Sequence, residues 1–332
     1  MIYNDSVYGK IEIKEPVLLE IINTKVFQRL KGIDQAGYRK LLEKPNIKIN
    51  DLDHTRYDHS IGVYHILKTH DASLEEQIAG LIHDISHSAF SHTIDYVLSE
   101  GSEKAHNHQD NIHNDYVKNS EIAKIIKKHG FDLEYILNEK NFSLKEKNIP
   151  DLCADRIEYS LKTAAVFKEK NKNELKYILN NLMVENGNWI FKNYKSARQY
   201  AKLFLMLNTV YYSGLSSAYM FRVTGDCLKY ALEKGYITKK DLYTTDKEVI
   251  DKIKNHLEDK KLSFFWDRLE GKISYTNNPK DYDAHVMVKS RVVNPLCKFK
   301  NKTQRVSEIY PTWKKIINDG LKPKEYFIKF VK

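Results

Sequence analysis

GLIHDISHSAFSH, residues 80–92, decides how the rest of the chain reads, because it sets His83, Asp84, His87 and His92 within ten residues. Ile78, Ala79, Ile82 and Ile85 recur at helical spacing on the approach to it, which predicts a helix over 75–85 with His83 and Asp84 near its C-terminal end. Neighbours on a helix project about 100° apart, so this pair can share an ion only beyond the helix end. The other ligands must then come from other helices. HTRYDHSIGVY (54–64) offers His59 at the start of a helix over 59–70, and DLCADRIEYSL (151–161) offers Asp155 at the start of one over 151–168. Two imidazoles and two carboxylates make a mixed nitrogen and oxygen set. Such a set suits a catalytic divalent ion with open water positions (manganese, iron, zinc or magnesium) better than a closed structural zinc. The specific signal is the combination: a histidine, a His-Asp pair 24 residues on, and a distant aspartate, all in helical context.

Outward from that stretch the imidazoles stay dense. Ten of the 13 histidines (His54, His59, His65, His70, His83, His87, His92, His106, His108 and His113) fall within residues 54–113, where about two would fall if evenly spread. Imidazole is the commonest metal ligand and acid–base group. A helix break at Ser86–Ser88 would turn His87 and His92 toward the metal cavity. His92 and Asp95 have the i, i+3 spacing that lets a carboxylate hold one ring nitrogen while the other faces a substrate, the wiring of a general acid. Arg56, Arg156 and His108 would supply charge-assisted hydrogen bonds to phosphate oxygens. His54, His65, His70, His106 and His113 read as ordinary surface or packing residues, and Tyr159 alone reads as core.

Helical periodicity also covers 17–32, 121–137, 196–212 and 219–234, punctuated by Gly101, the charged loop 99–107 and the polar stretch 138–150. Beyond about residue 260, DAHVMVKSRVV and EYFIKFV turn to β-branched and aromatic runs, with NNPKDYD and GLKPK as turns. The expected fold class is therefore mainly α, with a helical body over 1–260 and a small α+β subdomain over 261–332. A chain of 332 residues at 42% hydrophobic holds one or two packed domains, which excludes collagen-like, low-complexity and wholly disordered classes. Cys153, Cys227 and Cys297 are too scattered for a disulfide framework and fit a reducing cytoplasm. The opening MIYNDSVYGKIEIKEP carries charge where a signal peptide needs an apolar run, and no membrane-spanning stretch is expected. A net charge of +10 favours anionic partners. The lysine runs 168–176 and 298–305 lack interleaved aromatics and read as solvated faces, so nucleic acid is not the favoured partner.

These motifs resemble the HD-domain metal-dependent phosphohydrolases, and among them the deoxynucleoside triphosphate (dNTP) triphosphohydrolases, which include bacterial dGTPases and the animal dNTPase with SAM and HD domains. EIINTKVFQRLKGIDQAG (20–37), HTRYDHSIGV, GLIHDISHSAFSH, HQDN (108–111), ADRIEYSL, KSRVVNPLCKF and RVSEIYPTW carry the resemblance. It implies an HD-domain helical fold with its core over about 20–170, and a divalent metal held by His59, His83, Asp84 and Asp155. It further implies His92 as general acid oriented by Asp95, His87 and His108 facing phosphates, Arg56, Arg156 and Tyr159 on phosphate or sugar, and Gln35 at the sugar 3′-hydroxyl. Tyr211, Tyr212, Tyr219 and Arg222 are candidates around base and sugar. Ala36 stands where a Leu commonly packs on the sugar, so exclusion of a 2′-hydroxyl does not carry over; Gln109, Thr163, Ser86, Ser88 and Ala89 also depart from the family pattern. The implied reaction is dNTP and water to deoxynucleoside and triphosphate. Its alternatives are an HD phosphohydrolase of another nucleotide (monophosphate, ribonucleotide triphosphate or cyclic dinucleotide) and a silent nucleotide-binding sensor. Relatives assemble as dimers or higher, so a homo-oligomer is expected.

Overall fold

The computed structural model describes residues 1–37, 54–99 and 101–331. Helices dominate. In chain order they are α1 (Pro16–Ile22), α2 (Lys25–Gln28), α3 (Arg56–Lys68), α4 (Leu74–Ile82), α5 (His108–Lys118), α6 (Glu121–Lys128), α7 (Leu133–Leu137), α8 (Ala154–Val166), α9 (Lys172–Asn180), α10 (Tyr194–Leu207), α11 (Leu215–Glu233), α12 (Asp246–Lys254), α13 (Lys260–Leu269), α14 (Val306–Ile309) and α15 (Thr312–Gly320). Strands β1 (Ile2–Asp5) and β2 (Gly9–Glu12) form a hairpin; β3 (Leu182–Glu185), β4 (Asn188–Phe191), β7 (Leu296–Phe299) and β8 (Lys302–Arg305) form one sheet in that order. The third sheet has the order β5 (Ser274–Asn277), β9 (Lys324–Val331), β6 (Ala284–Val288), antiparallel throughout.

Several predicted helices are shorter than their apolar stripes. The stripe over 17–32 divides at Asn23–Thr24, where the Thr24 side chain caps α2, and that over 121–137 divides at Gly130, whose φ of +81° no helix accommodates. The helix expected over 75–85 ends at Ile82, so His83 and Asp84 lie in the turn just past it. Beyond Leu207 the chain widens into a π-turn over 208–212.

Three helices fix the centre. Thr55 caps α3 through a capping box with Asp58, which places His59 in the first turn. Helix α3 packs on both α4 and α8. Gly62 permits the second approach: a Cβ there would lie 2.4 Å from Glu158 Oε1 and 2.7 Å from its Cγ. Apolar packing falls into three clusters: one under α8, α10 and β4; one joining the β1–β2 hairpin, α1, α4, α6 and α7; and one joining residues 89–96, α11, α13, β6 and Ile328 of β9. Beyond residue 260, α13, β6 and β9 pack on α11, whereas Val292, Val306, Trp313 and Ile317 join the cluster under α8 and α10, and β7 pairs in parallel with β4 through Ile190–Leu296 and Phe191–Cys297.

Candidate active site

At the junction of α3, the turn after α4, and α8, His59, His83 and Asp155 bring donor atoms within 4.8 Å of one another, with Asp84 beside them. His59 Nε2 lies 3.1 Å from His83 Nε2, 2.9 Å from Asp155 Oδ1 and 3.6 Å from Asp84 Oδ2; His83 Nε2 lies 3.4 Å from Asp84 Oδ1 and 3.6 Å from Asp155 Oδ1. Donors bound to one ion at about 2.0–2.2 Å stand about 3.0–3.5 Å apart, so these edges are those of a coordination sphere. The rings are oriented for it. His83 donates from Nδ1 to Gly80 O at 2.7 Å and His59 donates from Nδ1 to Glu158 Oε2 at 2.5 Å, which leaves both Nε2 lone pairs facing each other. Two facing acceptors require a cation between them, and the residues present fit a divalent metal. Without one a proton serves: burial disfavours the imidazolium, but Glu158, Asp155 and Asp84 outweigh it and raise the His59 pKa to about 10.

Electrostatics keep the carboxylates ready to ligate. Burial alone would push Asp84 up, yet Arg56 Nη1 at 2.7 Å, with His83 and His87, holds it well below the usual carboxylate range. Asp155 is likewise held low by His59 and His83 against its burial. Glu158 is fully buried, with Lys162 Nζ 4.0 Å from Oε1 and His54 Nε2 3.8 Å from Oε2. Lys162 also pairs with buried Asp5 of β1, which ties the N-terminal hairpin to the carboxylate behind His59.

From Asp84 the chain runs through a turn into a 3₁₀ segment over 91–96, with Phe90 and Ser91 both at positive φ (61° and 44°). That strained step is pinned from three sides. Phe90 N donates to Asp246 Oδ1 at 2.8 Å, Ala89 N to Leu242 O at 2.7 Å, and Ser91 Oγ both donates to Asp34 O and accepts from Arg56 Nε. The step turns His87 and His92 inward as expected: His87 Nε2 lies 3.3 Å from Asp84 Oδ1, and the His87 and His92 rings meet edge to face at 5.1 Å. Burial and Arg56 push the His87 pKa down to about 4 and that of His92 well below its usual value. Asp95 Oδ2 stands 3.5 Å from His92 Nδ1, while Asp95 Oδ1 accepts from the His108 amide at 2.9 Å.

A cavity of about 440 Å³ opens beside this cluster, lined by Gln35, Ala36, Arg56, His92 and Tyr159 on the metal side and by Phe167, Tyr211, Tyr212, Tyr219, Phe221 and Tyr275 farther out. Among the described residues Tyr159 Oη and Gln35 Oε1 have no hydrogen-bond partner, as is expected of groups awaiting a ligand. Of the residues expected to bind substrate, Gln35, Arg56 and Tyr159 line the cavity. Arg156 does not; its guanidinium is bonded to Asp151 O at 2.6 Å, Lys147 O at 3.1 Å, Cys153 Sγ and Glu146. His108 is buried with Nε2 3.1 Å from Tyr243 Oη, and Arg222 pairs with Asp226.

Sequence reasoning passed over three groups. Glu158 is three residues past Asp155 on α8, and the i, i+3 spacing was the signal for a carboxylate behind the metal. His106 and His54, assigned to packing, both line the cavity, and His106 stacks on His92 at 5.2 Å. His70 does pack, against Trp189, as does His65 against Tyr8.

Residues 56–160 match the model of the HD domain. Over 293 residues the chain is 34% identical to the uncharacterized protein YdhJ of Bacillus subtilis, covering 88% of this chain and 87% of that protein. It is 36% identical over 168 residues to the metal-dependent phosphohydrolase cns2 of Cordyceps militaris (50% of this chain, 46% of that one). Over 109 residues it is 36% identical to the deoxynucleoside triphosphate triphosphohydrolase SAMHD1 of Danio rerio (28% and 16%).

Proposed function

The chain belongs to the HD-domain family of metal-dependent phosphohydrolases, and on that premise we propose that its substrate is a nucleoside triphosphate, foremost a dNTP, split into deoxynucleoside and triphosphate. One observation carries the proposal: an aromatic-walled cavity of about 440 Å³ is lined by Arg56, which pairs with Asp84, and by His92, whose ring meets that of His87 beside the candidate metal ligands. Phosphoryl chemistry and a site for a planar ring are thereby contiguous. The segments shared with triphosphohydrolases, and the partial match to a protein bearing that name, support the same reading.

His59, His83, Asp84 and Asp155 would hold the ion, whose chemistry is to lower the pKa of water and polarise a phosphoryl oxygen. Arg56, fixed by Asp84, Ser91 and the Gln35 carbonyl, meets the charge that grows on the phosphoryl oxygens. Tyr159 and Gln35 supply unsatisfied polar atoms to phosphate and sugar. His92 donates the proton to the departing 5′-oxygen, with Asp95 and the His106 ring setting its plane. In the free protein burial and Arg56 keep His92 neutral; the negative charge of an arriving polyphosphate favours the imidazolium, so the ring takes up a proton from solvent as substrate binds. His87, also neutral, is a hydrogen-bond partner to phosphate. Ala36 favours a second reading in which the 2′-hydroxyl is tolerated and ribonucleotides are also cleaved.

Incubating manganese-, magnesium- and iron-reconstituted protein with all dNTPs and NTPs, and resolving products by chromatography, tests both. Release of intact triphosphate supports the proposal and the dNTP/NTP ratio decides the role of Ala36. Orthophosphate, or no turnover with metal bound, overturns it in favour of another phosphoester or a silent sensor. A homo-oligomeric state belongs to the same proposal, with light scattering as its test. No described helix is long and apolar enough to cross a membrane.

A further inference from the structure

Where β6 ends at Val288 the chain continues extended to β7, and burial alternates: Val288, Ser290 and Val292 are buried, while Lys289 and Arg291 are half-buried. A period of two puts Lys289 and Arg291 on one face. The other face is anchored. Ser290 Oγ donates to Gly320 O at 2.6 Å and accepts from Asn208 Nδ2 at 3.0 Å, and Asn208 Oδ1 accepts from Arg291 N at 2.9 Å. A single amide, 1% exposed at the start of the π-turn, thus grips the strap at the Ser290 hydroxyl and at the Arg291 backbone. Val292 seals the end against Gly320, where a Cβ would approach its Cγ2 to 2.2 Å. A buried polar clamp of this kind fixes a backbone for a purpose.

The purpose is visible in what the two cations lack. Arg56 is paired with Asp84, and Arg156 is bonded to two carbonyls and Glu146. Arg291 lines the cavity with Arg56, His92 and Tyr159 and forms no ion pair among the described residues; neither does Lys289. Lys289 lies within electrostatic reach of Arg291, Arg156, Asp110 and Glu146, and the charge of Arg291 is felt at His92, His106 and Tyr159. A cation without an ion-pair partner in a partly enclosed site, as Arg291 is, is costly unless an anion is to be met there, and Lys289 lies on the same face of the strap. One phosphoryl group is already provided for by the metal ligands, Arg56 and His92.

We propose that Lys289 and Arg291 are a second anion-binding station, which takes the phosphates beyond the one attacked and so selects polyphosphate esters over monoesters. This rests on the nucleotide reading above but is tested apart from it. Manganese-loaded protein, with the metal in excess, is titrated calorimetrically with inorganic tripolyphosphate and, separately, with orthophosphate. Arg291→Gln and Lys289→Gln should each weaken tripolyphosphate by about tenfold to a hundredfold and orthophosphate by less than about threefold, with Arg291→Lys recovering part of the loss. Thermal unfolding identifies a variant that has simply failed to fold, and Arg291→Lys then decides alone. Unchanged tripolyphosphate binding, or equal weakening of both anions, overturns the station. Tight, Arg291-dependent tripolyphosphate binding by a protein that hydrolyses no nucleoside triphosphate upholds the station and removes the nucleotide reading instead.

Discussion

Gly62→Ala probes the carboxylate behind the metal without touching any ligand. Helix propensity alone favours alanine, by about 1 kcal/mol. Against it, the new methyl would lie 2.4, 2.7 and 2.8 Å from Oε1, Cγ and Cδ of Glu158, a side chain with no exposed surface. Contacts of that kind must open by roughly 0.8 Å or more before repulsion subsides, and overpacking of this order costs about 1–3 kcal/mol. The expected net loss is about 0–2 kcal/mol, a fall of up to a few degrees in Tm. The more telling effect is on His59. Glu158 Oε2 receives the Nδ1 proton at 2.5 Å, and displacing that oxygen frees the ring to turn its Nε2 away from the site. Removing such an orienting partner costs about tenfold to a hundredfold in metal affinity. The assay is metal titration by calorimetry, with Tm measured in metal and in chelator: the variant should lose more stability with metal present than without. In the Gly62→Ala/Glu158→Gln double variant the losses in affinity should fall short of additive. Wild-type affinity in Gly62→Ala, or an equal Tm loss with and without metal, would refute the account of Glu158 as the group that aims His59.

Other expectations are more direct. Asp84→Ala should abolish stoichiometric metal by elemental analysis, because it removes a ligand and frees Arg56 into the site; retained metal would remove Asp84 from the ligand set. His92→Ala should lower kcat by about 10² to 10⁴ with metal still bound. Burial, with Arg291 and Arg156 adding to it, pushes the Lys289 ammonium down to about 8, opposed by Asp110 and Glu146. Its positive charge is therefore present below that pH and lost above it. KM for a polyphosphate ester should accordingly rise between pH 7 and 9, and Lys289→Arg should flatten that rise.

Chemistry in this chain was more legible than architecture. The candidate metal ligands stand out because adjacency in His83-Asp84 and helix-start positions for His59 and Asp155 constrain where one ion could sit. Partners across space do not: nothing local ties Glu158 to His59, Asp246 to Phe90, or Asn208 to Arg291, and each of those bonds joins segments dozens to hundreds of residues apart. Helices were found by their apolar stripes, but their ends were overrun wherever a cap such as Thr24 or a positive φ such as that of Gly130 interrupts the stripe. The β3–β4 hairpin was missed although Asn186-Gly187, both at positive φ, is the strongest short-range signal for one. Arg156 illustrates the converse. Its place beside Asp155 suggested a phosphate ligand, whereas the carbonyls of Lys147 and Asp151, invisible to sequence pattern, occupy its donors.

The order of strands in the third sheet bears on how the protein is made. Strand β9 lies between β5 and β6, so neither earlier strand has its neighbour until residues 324–331 are synthesised. Gly320, which receives Ser290, comes only shortly before. Helices α3, α4 and α8 are complete at Val166, well before β9 ends at Val331, and ribosomes add about 5–20 residues per second. For roughly 8 to 33 seconds, then, a chain still being translated would carry the candidate metal ligands beside an unclosed cavity, and selectivity would be the last property it acquires.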